Sequence, residues 1–171
     1  MLKRRDFLVQ SALLLSLPVI AASAKEYASQ SVKIYTEPYQ TIAYLYSDLF
    51  PSNPSFSLKE INAIGYLYGV MHDERIDLET KEFIINGAAW LNEEAVEKYK
   101  KSYIKLLGNE RQKILKDISM TRWGDSWLYT MMSYLFEAIL SDPIYGGNTD
   151  AAGWQWFDHE PGFPRPDRVM I

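Results

Sequence analysis

The chain offers two histidines as candidate metal ligands. His72 opens a His-Asp-Glu run, and His159 lies within an Asp-His-Glu run. Imidazole and carboxylate groups are common ligands of divalent metals, so either run could hold one. Neither run has the spacing of a metal-binding motif such as H-E-x-x-H, and a solvated polar segment explains both runs better.

Other catalytic groupings have equally weak support. Glu93, Glu94 and Glu97 could supply the paired carboxylates of a glycosidase, but they stand at the start of a predicted helix, where acids favour the helix dipole. Trp154 and Trp156 could stack on a sugar, although a packed or partner-buried tail explains them at least as well. Nucleotide-binding, phosphate-binding and nucleophile-elbow motifs are missing. We therefore predict that the chain is not by itself an enzyme and holds no cofactor or metal.

The amino-acid composition excludes several kinds of binding site and partner. The 171 residues carry a net charge of −4 and no cysteine. Without cysteine there is no disulfide framework, no thiolate metal site, no iron–sulfur cluster and no c-type haem attachment. A mildly acidic chain does not suggest nucleic acid as a partner.

The first 24 residues have the three parts of an export signal: a basic segment, an uncharged apolar segment and a small-x-small cleavage site. Two adjacent arginines, one spacer and then Phe-Leu are typical of the twin-arginine pathway, and predict a periplasmic protein that begins at Lys25. An ordinary secretory signal and an uncleaved anchor are the alternatives. The residues that carry the signal are Arg4, Arg5, Phe7, Leu8, Ala22 and Ala24.

The remaining chain predicts an all-α fold. We expect about six helices in one compact domain, residues 25–141, followed by an irregular C-terminal arm rich in glycine, proline and aromatic residues, residues 142–171. Two helix starts are predicted from a capping box at Ser57 and an N-cap at Asn92, and one helix end is predicted at Gly108. The predicted helices span residues 39–50, 57–71, 77–90, 93–107, 110–118 and 125–140.

The arm carries the most specific sequence feature. Residues 142–148 read D-P-I-Y-G-G-N, followed by Gly153-Trp154 and by P-G-F-P at 161–164. This order resembles the D-P-x-Y-G-G-N…G-W…G-[FY]-P signature of the gluconate 2-dehydrogenase subunit 3 family, the small or gamma subunit. Leu49-Phe50-Pro51 and residues 90–95 extend the resemblance upstream. An insert at 155–160 departs from the family and leaves the course of the tail open.

The resemblance implies an accessory role in an oxidoreductase complex. Such subunits accompany an FAD-dependent flavoprotein of the glucose–methanol–choline type, often together with a multi-haem cytochrome c subunit. The flavoprotein oxidises a sugar or sugar acid and holds the catalytic residues. The small subunit carries the twin-arginine signal to the translocase, and acts as a chaperone-like escort and stabiliser of its partner.

The resemblance also implies where the partner binds. The predicted partner interface comprises Asp142, Pro143, Tyr145, Gly146, Gly147, Asn148, Gly153 and Trp154. One alternative is that the arm only folds back and caps its own helices, and the two roles are compatible. A second alternative, from another functional class, is a free-standing periplasmic protein that binds a carbohydrate or a metal through His159 and the tail tryptophans.

Overall fold

A computed structural model describes residues 36–50, 56, 58 and 60–168. Within these ranges the chain forms six α-helices and no β-strand, which confirms the predicted all-α class. The predicted export-signal residues Arg4, Arg5, Phe7, Leu8, Ala22 and Ala24 lie outside the described residues. The helices are α1 Tyr39–Leu49, α2 Ala63–His72, α3 Leu78–Tyr99, α4 Gly108–Ser119, α5 Arg122–Leu140 and α6 Ala152–Phe157.

Helix α5 is the centre of the fold, because each of the other five helices packs against it. Trp127, Met131 and Leu135 recur every fourth residue on its inward side, and all three are fully buried. Burial of each such side chain stabilises the fold by roughly 2 kcal/mol. Although α5 is rich in apolar residues, no helix in the described ranges has the length and apolar content needed to cross a membrane.

The contact between α3 and α5 depends on one glycine. The Trp127 indole Nε1–H donates a hydrogen bond to the Ile84 carbonyl oxygen at 3.3 Å. Its ring lies over Gly87, where an added Cβ would come within 2.1 Å of Nε1. A side chain at position 87 would therefore force the two helices apart, so glycine is required there.

Helix α3 corrects the prediction of two separate helices at 77–90 and 93–107. It is one helix of 22 residues, with Asp77 as its N-cap and Lys100 ending it in the left-handed conformation at φ 59°. The predicted N-cap, Asn92, lies in the interior of this helix. No glycine or proline separates Trp90 from Glu93, so nothing in the backbone interrupts the helix there.

Asn92 instead connects three parts of the fold through its side chain. Its Nδ2–H group donates to Thr41 Oγ1 on α1 at 2.8 Å. Its Oδ1 accepts from the Tyr103 backbone N–H at 2.9 Å, in the segment between α3 and α4. Thr41 is fully buried, and its Oγ1–H group donates a hydrogen bond to the Glu37 carboxylate. A residue type that favours helix caps is therefore used here for tertiary contacts.

Three other helix boundaries differ from the prediction. Helix α2 begins at Ala63 rather than at Ser57, because Asn62 caps it by accepting from the Gly65 N–H at 3.2 Å. Gly108 begins α4 instead of ending the preceding helix, and the Glu110 carboxylate accepts from the Leu107 N–H at 2.8 Å.

Helix α5 begins at Arg122, earlier than the predicted start at residue 125. Thr121 is the cap, and its Oγ1 accepts from the Gly124 N–H at 3.1 Å. This cap-and-first-turn arrangement satisfies one of the backbone donors that every helix start leaves free.

A partly buried ion pair joins α1 to α4. The Asp48 carboxylate accepts from Arg111 Nε at 2.6 Å and from Arg111 Nη2 at 3.0 Å. The same carboxylate accepts from the Tyr103 hydroxyl at 2.7 Å, and the Tyr103 side chain is fully buried. Burial, followed by this hydrogen bond, raises the pKa of Tyr103 well above its usual value.

We expect Asn92→Ala to lower the free energy of unfolding by about 2 kcal/mol, because it leaves buried polar partners on α1 and at Tyr103 unsatisfied. Urea unfolding followed by far-UV circular dichroism measures the change. Asn109→Ala is the matched control, since Asn109 is exposed near the start of α4. An equal effect of the two substitutions would contradict the tertiary role of Asn92.

Buried tyrosines make the fold sensitive to alkaline pH. Burial raises the pKa of Tyr39 from 10.0 to about 12. Burial, together with the negative charge of Glu137, raises the pKa of Tyr46 further still. Because the folded-state pKa is raised, the contribution of these phenols to stability is complete below about pH 10 and is lost as pH rises towards the folded values.

We therefore expect helix content to fall as pH rises above about 10, together with ionisation of the buried tyrosines. Tyr46→Phe should move this transition to higher pH without destabilising the protein at neutral pH, since the buried Tyr46 hydroxyl has no hydrogen-bond partner among the described residues. Tyrosinate absorbance and circular dichroism, recorded in parallel, measure both. Tyr129→Phe, at an exposed position, should leave the transition unchanged.

Candidate functional site

The C-terminal arm turns back onto the end of α5, and it corrects the prediction of a wholly irregular segment. It contains 3₁₀ turns at Pro143–Tyr145 and Thr149–Ala151, followed by the short helix α6. The Asp142 carboxylate caps the first turn by accepting from the Ile144 N–H at 3.0 Å. Gly146, at φ 86°, ends that turn in a conformation that favours glycine. Glycine and proline here shape short elements rather than prevent them.

Asn148 is the connecting residue of the arm. Its side chain is fully buried, and its backbone is left-handed at φ 41°, which asparagine tolerates better than most residues. The Nδ2–H group donates to the Ser141 carbonyl oxygen at 2.9 Å, and Oδ1 accepts from the Gly153 N–H at 2.7 Å. One amide therefore joins the end of α5 to the start of α6.

Trp154 provides a second link to the same helix end. Its indole Nε1–H donates to the Leu140 carbonyl oxygen at 2.7 Å, and the side chain is only 5% exposed. The last carbonyls of an α-helix have no partner within the helix. Asn148 and Trp154 satisfy those of Ser141 and Leu140, so the two residues act as a C-terminal cap supplied by the arm.

Two glycines allow the arm to approach this closely. A Cβ at Gly147 would lie 2.6 Å from the Ala138 carbonyl oxygen, and one at Gly153 would lie 2.0 Å from the Ile139 carbonyl oxygen. Because both contacts are with backbone atoms of α5, no side-chain movement could relieve them. The two glycines are therefore required by packing.

The segment that follows α6 folds over the outside of the arm. Arg165 forms an ion pair with Asp142 at 2.9 Å, and its guanidinium lies 4.7 Å from the centre of the Trp154 ring. A contact of this kind combines cation–π attraction with coverage of the ring. On the other side, Asn62 Nδ2 donates to the Gly146 carbonyl oxygen at 3.1 Å and so ties the start of α2 to the arm.

The eight predicted interface residues thus gather at one end of α5. Their contacts support the alternative that the arm folds back on its own helices, while their role in partner binding remains a prediction. Asn62 and Arg165 were missed by sequence reasoning: Asn62 lies in the predicted helix 57–71, and Arg165 follows the motif. Four of the eight are buried, Gly147, Asn148, Gly153 and Trp154, and four are half-buried, Asp142, Pro143, Tyr145 and Gly146.

The two candidate histidines lie in different elements. His72 Nδ1 lies 2.8 Å from the Tyr68 carbonyl oxygen at the end of α2. His159 is exposed within the arm, and its ring centre lies 5.9 Å from that of Trp154. Within the described ranges, no three histidine, cysteine or acidic side chains are arranged to hold a metal ion. Trp156 stacks on Phe56 with 4.6 Å between ring centres, so its ring is engaged within the chain.

Comparison with known proteins identifies the family of this chain. Residues 36–162 match the family model described as gluconate 2-dehydrogenase subunit 3. The chain belongs to this family. The match spans all six helices and most of the arm, and it ends before Arg165. No curated protein and no solved structure matches the chain.

We expect Asn148→Gly to lower the free energy of unfolding by about 2 kcal/mol, because glycine accepts the left-handed backbone but removes both amide hydrogen bonds. Thr149→Gly, at the exposed neighbouring position, is the matched control for the added flexibility of glycine. Asn148→Ala should cost more than Asn148→Gly, since it adds backbone strain. Urea unfolding of the three variants measures these differences, and equal values for Asn148→Gly and Thr149→Gly would contradict the cap.

Proposed function

We propose that this protein is a non-catalytic small subunit of a periplasmic FAD-dependent sugar or sugar-acid dehydrogenase, and that it escorts the flavoprotein through the twin-arginine pathway and stabilises it. The observation that carries the proposal is the family match over residues 36–162, because that family is named as a subunit of a dehydrogenase. A subunit implies a dehydrogenase partner. FAD then belongs to the partner, as does haem c where a cytochrome subunit is present.

The sequence of the first 24 residues supports the escort role. Arg4 and Arg5 followed by Phe7 and Leu8 have the order of a twin-arginine signal, which directs folded proteins to export. A folded flavoprotein that has already bound FAD needs such a route. A small subunit that carries the signal and stays bound can supply the route for both chains.

The contacts of the tail tryptophans argue against the alternative of a free-standing carbohydrate-binding protein. Trp154 is buried and its ring lies beneath Arg165, and Trp156 packs against Phe50 and Phe56. Both rings are therefore engaged in the fold rather than open to a sugar.

The paired substitution Arg4→Lys with Arg5→Lys tests the escort role. We expect it to retain both this chain and a flavin-bearing partner in the cytoplasm, because the twin-arginine pair directs the export of both. Fractionation followed by immunoblotting and flavin fluorescence measures their distribution. Lys3→Arg is the matched control, since it keeps a basic residue and leaves the pair intact. A partner that still reaches the periplasm with the paired variant would refute the escort role.

A further inference from the structure

We propose that the outward face of α5 is the surface on which the catalytic flavoprotein docks. This inference rests on the proposed function and deepens it by assigning the partner surface to α5 rather than to the buried residues of the arm. The face is called here the α5 stripe, and it consists of Tyr129, Met132, Phe136 and Leu140.

The α5 stripe is a continuous row of exposed apolar side chains. Tyr129 is 76% exposed, and Met132, Phe136 and Leu140 are 39%, 37% and 44% exposed. Their spacings of three, four and four residues place them on one side of the helix, over a length of about 16 Å. The opposite side of α5 carries the buried core residues, so this helix is apolar on both sides although only one is covered.

The stripe continues onto α6 through a series of aromatic contacts. The Phe136 ring lies 6.3 Å from that of Phe50, and Phe50 lies 5.5 Å from Trp156. Trp156 contacts Phe157, which is 43% exposed at the end of α6. The arm, by closing the end of α5, therefore holds a second helix in position beside the stripe and widens the apolar surface.

Charge separates the α5 stripe from the other exposed apolar residues. Helix α5 carries three charged residues, of which Arg122 and Asp125 lie in its first turn, before the stripe. The third is Glu137, which accepts a hydrogen bond from the Tyr66 hydroxyl at 3.2 Å. Helix α3 also exposes Leu78, Ile85 and Val96, but it carries seven acidic or basic residues along its length. The centre of a protein–protein interface is depleted in charge and enriched in tyrosine, phenylalanine and methionine, as the stripe is.

The rest of this chain offers a poor occupant for the stripe. After cleavage of the predicted signal, residues 25–35 would remain ahead of the described part, and they include Lys25, Glu26 and Lys33. The stretches 51–55 and 169–171 have five and three residues, which extend to at most about 18 Å and about 11 Å, so neither can cover both the row of about 16 Å and α6. An uncharged surface of a separate protein fits better, and the dehydrogenase subunit implied by the family is that protein.

The test compares two matched pairs of exposed substitutions in the full-length chain, co-expressed with its candidate flavoprotein partner. Tyr129→Glu with Met132→Glu places charge on the stripe, and Ile85→Glu with Val96→Glu places equal charge at similarly exposed sites on α3. The readout is FAD recovered per tagged chain. We expect at least about a tenfold loss for the α5 pair and less than about twofold for the α3 pair. Thermal melts should agree with wild type for both pairs, since all four sites are exposed.

Recovery of FAD with the α5 pair at the wild-type level, or a loss confined to the α3 pair, would overturn the docking surface alone. If the wild-type chain recovers no FAD, the proposed function fails first. If the variant with both α5 substitutions misfolds, a second experiment is used in its place. A photo-crosslinking residue is then introduced at position 132 of the otherwise unchanged chain. A crosslink to the flavoprotein supports the proposal, whereas a crosslink within the chain, to a second copy, or to neither overturns it.

Discussion

The unpaired carbonyl groups at the end of α5 constrain much of this structure. Helix α5 contacts every other helix, and no further helical turn follows it to supply N–H donors for its last carbonyls. Donors from elsewhere in the chain can take that place. Asn148 and Trp154 supply those donors, and Gly147 and Gly153 give the arm the close approach that the donors need.

This constraint explains why residues of such different types occur together in the arm. Asp142 and Gly146 form and end the first turn, Asn148 accepts a left-handed backbone while offering both a donor and an acceptor, and Trp154 reaches back with a rigid donor. Each of these residue types therefore meets a different geometric requirement at the end of α5. A motif that looks like a binding sequence is therefore also a capping device, and it presents α6 beside the exposed face of α5.

Sequence patterns predicted the parts of the fold that local preferences control. The apolar spacing of α1 and the long apolar segment of α5 placed α1 and all but the first turn of α5, because burial of one face dominates their stability. Asn92 misled the prediction, since its cap-like neighbourhood was overridden by partners on α1 and at Tyr103 that are distant in sequence. The elements within the arm were missed for a similar reason. Gly146 was visible as a helix breaker, but the Asn62 side chain that donates to its carbonyl oxygen was not. Nor were the carbonyls at the end of α5 that accept from Asn148 and Trp154.

The central position of α5 also has a consequence for synthesis on the ribosome. Helix α5 is fifth of six in chain order, so α1 to α4 emerge without the helix against which they all pack. Their apolar faces stay partly uncovered until α5 has left the ribosome, and the arm that caps α5 follows it. A chain that stops before α5 therefore lacks the helix that completes its core.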